Sequence, residues 1–304
     1  MPNAPLIAGI ELGGTKCICI LGSGPEDIRD EVRISTTTPY ETLAAIEAVL
    51  DRWVGFAALG IASFGPVSID QRAENHGFIT ATTKPGWSNT DVGRRLARHA
   101  GVPTGFDSDV AGAALGEGRW GAAQDVTNHA YVTVGTGIGV GLVMNGEPTN
   151  GLTHPELGHI RPVRLAGDDW PGSCSFHGDC LEGLASGPAI RARTGKGAET
   201  LAGDDPAWDG VAHALAQLLH TLVLTGIPRR VVMGGGVMTG TPHLFPRIRH
   251  RLIESLGGYG AAPGLYPVEA YVVPAALGNQ AGPLGAIELG SRALRRPATA
   301  FTTL

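Results

Sequence analysis

The apolar positions of the chain change period along its length. Leu6 to Leu12 is a leucine-rich and β-branched run. Gly13-Gly14-Thr15 interrupts it, and Lys16 to Leu21 resumes it, a pattern of strand, tight turn and strand. The pattern returns at His129 to Gly135 and Ile138 to Met144, joined through Thr136-Gly137. Helical spacing over Glu41 to Trp53 puts Leu43, Ile46, Val49 and Leu50 on one side. Helices are also predicted at Asp91–Ala100, from Asp109 to Gly116, and over Pro206–Leu224, Leu244–Leu256 and Leu284–Leu294. Further strands are predicted at Ala57–Ala62, Val102–Phe106, Arg229–Met233 and Ala270–Val273. Ser63 to Asn89 reads as a long loop region. The tail after Arg296 reads as frayed or docking. Strands alternating with helices predict an α/β architecture, and the repeated hairpin suggests two related halves.

Composition narrows the function classes. At 304 residues the length suits two domains, and 43% hydrophobic content supports a large core. A net charge of −5 without a Lys/Arg stripe argues against nucleic-acid and membrane surfaces. The first residues lack a charged segment followed by an apolar one, so the expected location is the cytoplasm. Cys17 and Cys19, two apart on a strand, share one face and read as small core residues. The 46 glycines cluster at turns, where backbone turns tightly or approaches a ligand closely.

Cys174, His177 and Cys180 are three soft ligands at i, i+3 and i+6 in a Gly- and Pro-rich stretch. With His159 they would make a tetrahedral set suited to structural zinc. His154 is a competing fourth ligand, and a Cys174–Cys180 disulfide is a third possibility, disfavoured in a cytoplasmic protein. Gly13-Gly14-Thr15-Lys16 and Gly135-Thr136-Gly137 lead into strands, so neither fits a Walker or Rossmann loop. They are ordinary hairpin turns or phosphate cradles built from exposed N–H groups and hydroxyls. Gly234-Gly235-Gly236 after a strand adds weight to the nucleotide reading. Glu11 is either a solvated strand-end charge or a Mg²⁺ ligand, directly or through water. Asp109 follows a strand together with Asp107, and is either a helix N-cap or a general base on a sugar hydroxyl.

Taken together these segments resemble the ROK family of sugar kinases, within the hexokinase–actin superfamily. The resemblance rests on Glu11 to Lys16, Asp107 to Glu117, Thr133 to Gly141, Glu156 to His159 and Val231 to Val237. It implies a two-domain hexokinase/actin-like (ribonuclease H-like) α/β fold with a cleft between domains. The smaller domain would be 1–115, joined by the C-terminal helix at about 284–304. The larger, 116–283, would carry the zinc loop. Asp109 would be the catalytic base. Glu156, His159 and Glu182 would hold sugar hydroxyls, with His159 also a zinc ligand. Glu11, Gly13, Gly14, Thr15, Lys16, Gly135, Thr136, Gly137, Gly234, Gly235 and Gly236 would serve ATP and its Mg²⁺.

The departures from the wider family point to its fructokinase branch. Phe176-His177 stands within the zinc motif, Glu11 replaces a more usual aspartate, and Cys180 to Pro188 matches that branch. Thr83-Lys-Pro-Gly-Trp87 resembles its sugar-side loop, which makes Lys84 and Trp87 substrate-side candidates; for Trp87 the alternative is a place in the core. Ser108, where asparagine is frequent, is a further candidate. The expected activity is ATP:hexose 6-phosphotransfer to fructose, in a homodimer. The alternatives are a mannokinase or broad hexokinase and, outside enzymes, a catalytically silent sugar sensor.

Overall fold

The computed structural model describes residues 4–259, 265 and 267–295. The chain forms two compact units, 1–121 with 148–154 and 279–304, and 122–147 with 155–278.

In the first unit β1 (Ile7–Leu12) and β2 (Lys16–Gly24) pair antiparallel around the Gly13–Thr15 turn, Leu12 facing Cys17. β3 (Asp27–Ser35) pairs with the outer side of β2. Its charged, largely unburied side chains suit a sheet edge, where they discourage further pairing. For the same reason its apolar signal in the sequence is weak. α1 (Pro39–Arg52) is capped by the Thr38 hydroxyl, which accepts from the Glu41 N–H at 3.3 Å. Leu43, Ile46, Val49 and Leu50 are buried, as their spacing predicts.

β4 (Ala58–Ser63), buried throughout, runs parallel to β1. Short strands β5 (Phe78–Ile79) and β6 (Thr90–Asp91) pair across the loop region. α2 (Gly93–Ala100), β7 (Thr104–Ser108) and α3 (Asp109–Trp120) follow. The sheet order is β3-β2-β1-β4-β7. Cys17 and Cys19 are unpaired and buried.

The second unit repeats this plan. β8 (His129–Val134) and β9 (Ile138–Met144) are antiparallel, and β10 (Glu147–Pro148) follows as the edge. Helices α4 (Leu181–Ala185), α5 (Gly187–Thr194) and α6 (Ala207–Thr225) precede β11 (Arg230–Gly234). α7 (Gly235–Gly240), α8 (Leu244–Leu256) and α9 (Val268–Tyr271) come before β12 (Val272–Pro274). The sheet order is β10-β9-β8-β11-β12, with β8, β11 and β12 mutually parallel. Each sheet is thus an antiparallel meander extended by two parallel strands. The similarity suggested by the two hairpins extends to the whole sheet order.

The chain ends its described course in the first unit as α10 (Ala281–Arg295). Gly9, Gly60 and Gly105 are register partners across β1, β4 and β7, and α10 lies directly on this glycine row. A methyl group at Gly60 would overlap the Ala286 carbonyl, and one at Gly105 the Leu289 carbonyl. Gly285 of α10 meets the Gly112 carbonyl of α3 in the same manner.

Some boundaries differ from expectation. Ala270 and Tyr271 belong to a helical turn that opens after Pro267, so the last strand is only Val272–Pro274. α10 begins at Ala281 because Pro283 falls in the first turn, where its missing N–H is no loss. α3 runs unbroken to Trp120, so the units divide at 121/122 and not at 115/116. Segments 148–154 and 279–295 also return to the first unit. The tail after Arg296 lies outside the described residues. Among the described residues no helix is long and apolar enough to cross a membrane.

Candidate active site and metal centre

β7 delivers Asp107, Ser108 and Asp109 to the head of α3. The cap of α3 is Ser108, whose hydroxyl accepts from the Ala111 N–H at 3.3 Å. Asp109 is therefore not the N-cap. Its carboxylate accepts from the Val110 N–H at 2.8 Å. Desolvation nevertheless pushes its pKa up to about 6. Ser108, 2% exposed, caps the helix through its hydroxyl oxygen, which leaves the hydroxyl proton for the sugar contact expected from the sequence. Buried Asp107 accepts from the Ser108 N–H at 2.7 Å and from the Asn150 side-chain amide at 3.2 Å. It thereby ties the 148–154 segment to the end of β7.

Glu11 stands at the end of β1, beside the Gly13–Thr15 turn. Burial, and then the negative charge of Asp109, raise its pKa to about 7 against the pull of Lys16. The turn itself is fixed by Thr36, whose hydroxyl donates to the Gly13 carbonyl at 2.8 Å and whose N–H donates to the Thr15 carbonyl at 3.0 Å. Gly14 has open space where a side chain would stand.

The Thr83–Trp87 loop docks on the next stretch of the same segment. Lys84 Nζ donates to the Thr36 carbonyl at 3.3 Å. Trp87 is 0% exposed, donates its indole N–H to the Thr37 carbonyl at 2.9 Å, and packs edge-on against Phe64. With its ring enclosed and its only donor taken, Trp87 is a core residue. The substrate role considered for it from the sequence is withdrawn.

In the second unit the β8–β9 turn is held from two sides. Its Gly135 carbonyl accepts from the Gly187 N–H at 2.8 Å, and the Ile138 N–H donates to Glu182 Oε2 at 3.0 Å. Glu182 thus sits under the turn, and Gly137 has no room for a side chain beside its carboxylate. Gly235, at φ +87°, begins α7 against the Thr133 hydroxyl and Val134 backbone, where only glycine fits. Gly135, Thr136 and Gly236 open on a cavity of about 470 Å³. Gly187, Pro188 and Arg191 of α5 complete one wall, Val237 and Gly240 of α7 another, and Gly197, Ala198 and Glu199 a third. Gly234 is at the end of β11, against Tyr131 and Ala275, and Gly234 and Gly235 are not among the cavity's lining residues.

The expected metal ligands converge. His159 ends a short 3₁₀ turn, Leu157–His159, which Gly158 presses onto the Ile138 carbonyl of β9. Glu156, exposed, heads that turn and accepts the His159 N–H through its carbonyl at 3.0 Å. Cys174 and Gly178 exchange two backbone hydrogen bonds, which brings His177 back toward Cys174. His159 Nδ1 lies 3.3 Å from His177 Nδ1, 3.5 Å from Cys180 Sγ and 3.8 Å from Cys174 Sγ. All four ligand atoms lie within 4.8 Å of one another. A tetrahedral zinc has edges of about 3.3 Å between nitrogens and about 3.6 Å between nitrogen and sulfur, from its ordinary bond lengths. The donor set fits that ion. His154 is not a ligand; its Nε2 accepts from the Val67 N–H at 3.1 Å. Asp179 bridges Arg161 and Arg164, and Asp168 joins Arg164 to Arg193, so the loop is bracketed by an ion-pair network.

Residues 7–293 match the ROK family. The chain belongs to the ROK family. It is 40% identical to a fructokinase of Pediococcus pentosaceus, over 95% of this chain and 99% of that one. It is 41% identical to a fructokinase of Zymomonas mobilis, over 95% and 98%. A ROK glucokinase from Streptomyces griseus, solved with glucose and AMPPNP, superposes with a TM-score of 0.74 at 25% identity, covering 94% of this chain and 99% of that chain.

The ROK motifs mark the two glycine turns, the β7–α3 junction and the metal loop. The segment matching the fructokinase branch stops at Pro188 and does not reach Arg191, Ala198 or Glu199, which line the cavity from a helix and a loop without any motif spacing. The available signal is the Ser186-Gly187-Pro188 start of α5, with Ser186 capping Ala189 and proline in the first turn. It predicts a helix there, not a cavity.

Proposed function

We propose that this ROK protein transfers the γ-phosphoryl group of ATP to the 6-hydroxyl of D-fructose. The observation that carries the reading is Asp109. Its carboxylate stands at the carboxyl end of a parallel strand, where α/β ligand sites gather, and it is not the helix cap. Desolvation holds its pKa at about 6. It is then ionised at neutral pH and a stronger base than an ordinary aspartate. It would take the hydroxyl proton as the oxygen attacks phosphorus. Glu156, His159, Glu182 and Lys84 are assigned to the sugar side. The triphosphate is assigned to the Gly13–Thr15 and Gly135–Gly137 turns with Lys16. The nucleoside is assigned to the cavity beside Gly236.

Glu11 suits Mg²⁺. Desolvation and the neighbouring Asp109 charge raise it to about 7, a penalty that a divalent cation offsets. Mg²⁺ bound with ATP would neutralise phosphate charge. His159, Cys174, His177 and Cys180 would hold structural zinc, and purified protein should contain about one zinc per chain. Metal analysis that finds none removes the assignment. A homodimer is part of the proposal, and sedimentation mass tests it.

Fructose is favoured because relatives at 40% and 41% identity over nearly full length are named fructokinases. The deciding experiment is a hexose panel with coupled ADP detection. Fructose should give the highest kcat/KM. A preference for mannose would make the protein a mannokinase or broad hexokinase. A preference for glucose or an N-acetylhexosamine overturns the substrate assignment.

A further inference from the structure

The cavity in the second unit has a direction. Its lining residues on α5 are Gly187, Pro188 and Arg191, and on α7 Gly236, Val237 and Gly240. Each set spans one helical turn, about 6 Å of rise over four residues. The cavity therefore runs from the Gly135–Thr136 turn along both helices. If the turn takes phosphates, the far end takes the base.

That far end contains no aromatic ring among its described lining residues. Its planar group is the guanidinium of Arg191. The side chain is 64% exposed, and Arg191 Nη2 donates to Glu199 Oε1 at 3.4 Å. Glu199 in turn folds back over Gly197, where any Cβ would collide with its carboxylate. The Gly197 carbonyl accepts the N–H groups of Thr200 and Leu201, both at 3.0 Å, which fixes the loop carrying Glu199. Across the cavity Gly240 has nothing within 4 Å of where a Cβ would stand, so a flat ring has room there.

We propose that Arg191, beside Glu199 at the far end of the cavity, stacks on the nucleobase of the phosphoryl donor and is the residue that recognises its face. This rests on the nucleotide assignment of the cavity. A guanidinium covers a π face through its plane as well as its charge, which an ammonium does not.

The test compares wild type, R191A and R191K, with ATP as donor and inorganic tripolyphosphate, which has no base, as competitor. R191A should raise KM for ATP about tenfold. It should leave kcat and the KM for sugar within about twofold. R191K should not rescue, because it restores charge without the plane. Inhibition by tripolyphosphate should be the same in all three proteins. Weakened tripolyphosphate inhibition in R191A, or a wild-type KM in R191K, overturns the proposal by making Arg191 a phosphate contact. An unchanged KM for ATP in R191A overturns it as well. A wild-type protein that does not bind Mg-ATP would instead sink the nucleotide assignment itself.

Discussion

At the residue scale the proposed chemistry turns on two carboxylates whose protons are held unusually tightly. Asp109 is raised to about 6 and Glu11 to about 7, each first by desolvation. A general base must be ionised, so kcat/KM for the sugar should rise with pH through about 6 and fall away below it. Asp109→Asn should remove this limb and cut kcat by at least about a hundredfold, the usual contribution of a general base. Substantial residual turnover would take Asp109 out of that role. The stability effect has the opposite sign. Both groups bind protons more tightly folded than unfolded, where their values are near 3.8 and 4.5. The ligand-free protein should therefore lose stability as pH rises from about 4 to about 7. Asp109→Asn removes one such penalty, and its Tm at pH 7.5 should be no lower than wild type. The place of Asp109 at a strand-to-helix junction was legible in the sequence from the change of period around it. Setting aside the cap reading needed the Ser108 hydroxyl bond. Trp87 was misleading because a loop tryptophan beside a lysine has the composition of a binding site, and only its buried ring and occupied N–H separate the cases.

At the element scale the packing of the first unit depends on how closely α10 approaches the first sheet. The glycine row Gly9–Gly60–Gly105 lets helix backbone touch strand backbone, and α3 meets α10 at Gly112 and Gly285. A methyl group at Gly60 meets the Ala286 carbonyl, which cannot rotate aside as a side chain can. Gly60→Ala should destabilise by about 1–3 kcal/mol, the range for overpacking a closed interior. Gly151→Ala, where nothing lies within 4 Å, should change the urea midpoint little. Equal midpoints for the two variants would mean that α10 shifts freely. Such packing leaves only a trace in the sequence, as glycines inside strands. The elements themselves were legible where one period ran long enough. β9 and α8 fall at the predicted Ile138–Met144 and Leu244–Leu256. β3 was not legible, since an edge strand with charged side chains carries little apolar alternation.

At the scale of the whole molecule, two sheets of the same order place a glycine turn after the first strand of each. The turns are equivalent in position, but their surroundings differ. In the first unit the turn adjoins Glu11 and the β7–α3 junction with Asp109. In the second it opens on the 470 Å³ cavity, all of whose lining residues come from that unit. In the proposed function, proton removal and nucleoside binding would therefore be supplied by separate units. This separation has a measurable consequence. Asp109→Asn should bind a non-hydrolysable ATP analogue with a Kd within about twofold of wild type while turnover is lost. Its calorimetric titration checks this directly. Gly236→Val is the converse case. Gly236 faces open space in the cavity, so a branched side chain there fills volume without disturbing the backbone around it. That variant should weaken the analogue by about tenfold or more, on the scale of a few lost contacts. It should also keep the rise of kcat/KM for the sugar through about pH 6, because Asp109 is unaltered. Should Asp109→Asn lose the analogue as severely as Gly236→Val does, nucleotide binding would depend on the first unit's acid, and the two roles would not be separable.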